Sequence, residues 1–195
     1  MKKNKKTLWL GNLFILAGLL LLLLIFRPVL IQEANYRFKK NSLPESIETI
    51  TPVSRDFSLI IPKIGINSPV FPKIDSNNEQ EYGAVLKKGV AHAKGSSLPD
   101  EPGVVFIFGH STDAFYNLQR DNAVFYSLGK LEKDDPVFIF YQDEKYSYQV
   151  TAKEVVSSEA VEERVKKLQG NYLVLQTCYP PGTTLKRLIV TAKPV

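Results

Sequence analysis

"NYLVLQTCYPPGTTLKRLIV" (171–190) reads as strand, turn, strand. Branched apolar residues fill both arms, and Pro180-Pro181-Gly182 between them turns the chain back on itself. The only cysteine of the chain, Cys178, stands where the first arm gives way to the turn, and Arg187 follows on the return arm. If the arms pair at about 4.8 Å, the long guanidinium reaches the strand end that carries the thiol. Lys186 has the opposite parity and belongs to the other face.

Outward from this hairpin, the chain repeats the same grammar. Segments 57–66, 103–109, 136–142 and 145–156 are rich in branched and aromatic residues and are bounded by turn chemistry. Asp143-Glu144 joins two of them as a hairpin. Helical patterns are short: 78–86, 122–131 and 159–168. Many short strands with few helices predict a β-barrel or sandwich of about 140 residues.

The 195 residues carry a net charge of +5, but Lys2, Lys3, Lys5 and Lys6 supply four of the positive charges. Without them 21 basic residues face 20 acidic ones, which argues against a nucleic-acid surface on the folded part. The lysines precede "TLWLGNLFILAGLLLLLLIF" (7–26), an uncharged stretch long enough, at about 1.5 Å per residue, for a hydrocarbon core of about 30 Å. A buried core helix would need a polar face that Leu19–Leu24 lacks. A cleaved signal peptide would need small residues where Phe26-Arg27-Pro28-Val29 stands. The expected organisation is a cytoplasmic tail (1–6), a single-pass membrane anchor (7–26), a polar stalk (27–56) and an extracellular domain (57–195).

A lone cysteine outside the cell excludes an internal disulfide and leaves a thiol for chemistry or for pairing between chains. A nucleophilic thiol needs a base or cation beside it. His110 ends the apolar run "GVVFIFGHS", as Cys178 ends its own, whereas His92 in "KKGVAHAKGSS" (87–97) has loop-like surroundings and is the weaker candidate. Thiol, imidazole and guanidinium would then come from three strands. Each also has a structural reading: a buried small hydrophobe, a hydrogen-bonded strand end, a solvated charge.

Taken together, these stretches resemble the sortases, membrane-anchored cysteine transpeptidases of bacterial surfaces. The nucleophile motif TLxTC appears as Leu175-Gln176-Thr177-Cys178, with Val174 in place of the usual Thr or Ser. The histidine motif appears as "FIFGHS" (106–111) and the arginine within Lys186-Arg187-Leu188-Ile189-Val190. "DFSLIIPKIGINSPVF" (56–71) and "GVAHAKGSSLPDEPGVVFIFGH" (89–110) also resemble family sequence, so the likeness covers residues 56–192. Asp134 stands where many relatives have glycine, and Arg55-Asp56-Phe57 lacks the proline of the Asp-Pro-aromatic lid found in pilus-building members.

The resemblance implies a mainly β, sortase-like barrel with a few short helices. It implies a substrate protein with a C-terminal sorting signal of the Leu-Pro-x-Thr-Gly kind and an amine acceptor, either a cell-wall precursor or a protein lysine. Cys178 would form a thioacyl-enzyme, His110 would move the amine protons, and Arg187 would bind a carbonyl oxygen or the signal backbone. Thr177 would assist at the substrate, His92 would have a structural or substrate-edge role, and no metal or cofactor is implied. Two rival expectations are a cell-surface cysteine hydrolase and a non-catalytic, membrane-tethered β-domain that binds a surface protein.

Overall fold

The computed structural model describes residues 9–24, 51–111 and 123–195. Eight strands close a barrel in the order β1-β2-β3-β4-β7-β8-β6-β5. They are β1 (Phe57–Ile61), β2 (Ile66–Ile74), β3 (Val90–Ala93), β4 (Val104–Phe108), β5 (Pro136–Tyr141), β6 (Glu144–Val156), β7 (Tyr172–Tyr179) and β8 (Lys186–Pro194). Closure leaves no sheet edge exposed for pairing with another chain. Two neighbour pairs are parallel, β2 with β3 and β4 with β7, and the others are antiparallel.

Alternation along the strands separates two faces. Leu59, Ile61, Val90, Ile107, Ile139, Leu173, Leu175 and Val190 are fully buried in one interior cluster. Residues of the other parity face outward, where two helices cover them. Helix α2 (Glu79–Leu86) lies over Ile74, Ala91 and Phe108, and α3 (Ala160–Lys166) lies over Val156, Val174 and Ile189. Each aliphatic side chain so buried contributes about 1.5–3 kcal/mol relative to exposure.

The continuous strand expected over 57–66 is two strands. Pro62 has no N–H to give a ladder, and Gly65 adopts a left-handed conformation (φ 68°), donating its N–H to the Pro62 carbonyl at 3.0 Å. The short β3 and most of β2 were absent from the expected strand set, since β2 contains Pro69 and Pro72 and β3 has only four residues. Segment 122–131 is not an α-helix among its described residues. Turns and a 3-10 segment (Leu128–Lys130) place Phe125, Leu128 and Leu131, three residues apart, wholly inside the barrel. The β5–β6 turn falls on Gln142 and Asp143, both at positive φ, one residue earlier than expected. Asp134 holds a left-handed φ of 70°, which accounts for the preference for glycine there.

The expected membrane span is described only in part. Residues 9–24 form helix α1, about 24 Å long at 1.5 Å per residue, with Trp9, Phe14, Leu16 and Leu20 exposed. Among the described residues no helix is long and apolar enough to cross a membrane. The described helix falls short of a hydrocarbon core of about 30 Å; residues 7, 8, 25 and 26 lie outside the described residues. At the other boundary, Asn67 accepts the Val53 N–H and donates to the Thr51 carbonyl, so residues ahead of Phe57 are attached to the barrel.

Candidate active site

β7 and β8 carry the thiol and the guanidinium into direct opposition. Cys178 and Arg187 are cross-strand partners, so their side chains leave the sheet on the same face. That face is the outer one: Thr177 and Leu188 take the interior parity, whereas Cys178 and Arg187 follow Val174 and Ile189 outward. Strand β7 continues through Cys178 to Tyr179, which puts the thiol on the ladder itself rather than in the turn. The sheet thus fixes the backbone on which the thiol stands.

The histidine arrives from the other side of β7. The parallel pairing of β4 with β7 runs as far as Phe108 opposite Gln176, and the segment that follows, Gly109-His110, continues along β7. Three hydrogen bonds hold the segment there: Gly109 N–H to the Gln176 carbonyl (3.1 Å), Thr177 Oγ1 to the Gly109 carbonyl (2.8 Å) and Phe125 N–H to the His110 carbonyl (3.0 Å). Gly109 must be glycine, because a Cβ there would lie 2.9 Å from the Phe125 ring and 3.0 Å from Val90. His110, Cys178 and Arg187 are all half-buried, on the row just beyond the outward residues that the two helices cover.

Arg187 Nη1 donates to the carbonyls of Thr184 (2.9 Å) and Lys186 (3.2 Å). These bonds orient the guanidinium against the β7–β8 turn, and its five N–H donors leave capacity for a further acceptor. Buried Thr177 faces inward and ties the cysteine strand to the histidine segment.

His92 stands elsewhere. It is fully buried with interior parity on β3, where its Nδ1 accepts the Lys73 N–H (3.2 Å) and its Nε2 lies 3.0 Å from the Ser97 carbonyl and 2.9 Å from Ser96 Oγ. An accepting Nδ1 leaves the proton on Nε2, which donates to Ser97. Burial lowers its pKa, aided by the Lys73 charge and opposed by the Ser97 bond and the Glu101 charge. The imidazole is therefore neutral, and the fold does not bring it to Cys178.

Tyr82 of α2 packs against the end of β4, and nothing in the sequence ties that helix to the site. Its ring meets Phe108 edge-on with centroids 6.2 Å apart. Burial raises its pKa, as does the nearby Glu79 carboxylate, while the Arg187 charge acts in the opposite direction. Cavities of about 540 Å³, beside Phe57 and Tyr141, and about 290 Å³, beside Tyr146 and Tyr172, open at the other end of the barrel and hold none of these groups.

The family model described as Sortase domain matches residues 59–195, and the chain belongs to the sortase family. Sortase D of Bacillus subtilis (strain 168) is 31% identical over 140 residues, a match that covers 70% of this chain and 62% of that protein's length. Sortase C-1 of Actinomyces oris superposes with a TM-score of 0.59 at 29% identity, covering 86% of this chain and 85% of the other. The pilus-related sortase C of Group B Streptococcus gives 0.60 at 26% identity, with 87% and 90% covered.

Proposed function

We propose that the chain is a cysteine transpeptidase that cleaves a Leu-Pro-x-Thr-Gly-like sorting signal of surface proteins and passes the acyl group to an amine. One observation supports this reading: Cys178 and Arg187 are cross-strand partners on β7 and β8, and the segment after β4 that carries His110 is bonded to β7 through Gly109.

In the first half-reaction Cys178 Sγ attacks the threonyl carbonyl carbon. The proton lost by the thiol passes through His110 to the departing glycine nitrogen, the C–N bond breaks, and a thioester remains. An incoming amine then attacks the thioester, gives its surplus proton to His110, and the C–S bond breaks to restore the thiol. Arg187, permanently charged and braced by the turn carbonyls, donates to the acyl oxygen as negative charge builds there. Thr177 acts indirectly, by holding the histidine segment, and His92 serves the core of the barrel.

The domain, 57–195 with its attached lead-in, would stand outside the cell on a polar stalk, held by a membrane helix over 7–26. The exposed apolar surface of α1 supports that anchor, as do the lysines ahead of it. Incubation with a sorting-signal peptide and a primary amine tests the reaction. The ligated product is expected from the wild type and from His92→Ala, and none from Cys178→Ala or His110→Ala. Hydrolysed peptide alone, unchanged by added amine, would point instead to a hydrolase.

A further inference from the structure

We propose that Tyr82 positions the amine: the leaving segment in the first half-reaction and the acceptor amine in the second. The inference rests on the transpeptidase reading and assigns one side of the site to the acyl group and the other to the amine.

The strand order supplies the argument. Across the outer face the sequence is α2, β4, β7, β8, so Cys178 has Arg187 on one flank and the β4 segment with His110 on the other. Arg187 is a donor only and suits the acyl oxygen. The amine must approach within reach of the imidazole that exchanges its proton, which is the β4 flank. Tyr82 is on that flank, because its ring rests on Phe108, two residues before His110. Asn78 fixes the helix that presents it: its side chain accepts the Glu81 N–H at 3.2 Å and its carbonyl accepts the Tyr82 N–H at 3.0 Å.

The phenol suits the task. Its pKa is raised, so it stays neutral at the pH where an amine is partly deprotonated, and a neutral phenolic oxygen accepts a hydrogen bond from an N–H. The ring half, packed on Phe108 and half-buried, holds the oxygen in place at little entropic cost.

Tyr82→Phe removes the oxygen and keeps the ring contact. With a sorting-signal peptide and a fixed concentration of primary amine, the ratio of ligated to hydrolysed product should fall about 3- to 10-fold, the worth of one hydrogen bond. Alkylation of Cys178 by a small neutral thiol reagent and the thermal midpoint should not change. An unaltered product ratio would overturn the proposal, as would an equal loss in alkylation rate, which would show action through the thiol. Tyr82→Leu, which keeps apolar bulk without the hydroxyl, should reproduce the altered ratio; a normal ratio there would also count against it. If the wild type forms no thioester and no ligated product, the transpeptidase reading itself fails, and that result is distinct from a normal ratio in Tyr82→Phe.

Discussion

At the scale of single residues, Arg187 separates geometry from charge. Lysine would keep the charge but lose the planar fork, so Arg187→Lys should fold normally and turn over about 10²–10³-fold more slowly. Steady-state kinetics on a sorting-signal peptide read the outcome; a raised Michaelis constant with unchanged turnover would make Arg187 a binding group instead. Thr177 makes a different point, since its hydroxyl bonds the Gly109 carbonyl rather than facing the thiol's row. Thr177→Val keeps the shape and orphans that carbonyl, so it should cost about 1–3 kcal/mol in denaturant unfolding. Slower turnover should accompany it, because the tether to the His110 segment is gone. The sequence made part of this legible: strand parity and the Pro-Pro-Gly reversal are enough to set Cys178 and Arg187 on one face. It could not show Tyr82, because contact between α2 and the end of β4 depends on long-range packing that local pattern does not encode.

At the scale of elements, β3 owes its stability partly to a histidine that cannot be charged cheaply. The unfolded chain takes up a proton on His92 near the ordinary value of 6.5, whereas burial lowers the folded value. Below pH 6.5 the unfolded state therefore binds more protons, and stability falls as the pH drops through the window between the two values. Thermal melts at pH 7 and pH 5 should show a larger loss for the wild type than for His92→Gln; equal losses would mean that His92 is not the responsible group. Protonation must also sacrifice the Lys73 N–H bond to Nδ1. From sequence this histidine looked loop-borne, because Gly89, Lys94 and Gly95 surround a strand only four residues long. Strands β4, β5, β6, β7 and β8 were legible within a residue or two, since no proline interrupts the interior of their branched and aromatic runs. Strand β2 was not, for its two prolines resemble loop punctuation until α2 and the parallel partner β3 are in place.

At the scale of the whole molecule, the barrel turns distant sequence into one row of chemistry. The parallel β4–β7 pair is the decisive joint: β5, β6 and α3 intervene in the chain, yet the pairing brings the segment that carries His110 against the strand that carries Cys178. No local pattern in the sequence specifies that joint; it follows from closing eight strands around the Leu173–Leu175–Ile107 interior. On the proposed reaction, its functional consequence would be a covalent intermediate on a single atom. Mass spectrometry of the intact protein, quenched in acid after brief exposure to a sorting-signal peptide, measures that directly. The expected result is a mass increase equal to the acyl part of the peptide, located on Cys178, absent from His110→Ala, and discharged by a primary amine into ligated product. A protein that cleaves the peptide without ever carrying the adduct, or whose adduct survives added amine unchanged, would contradict the account.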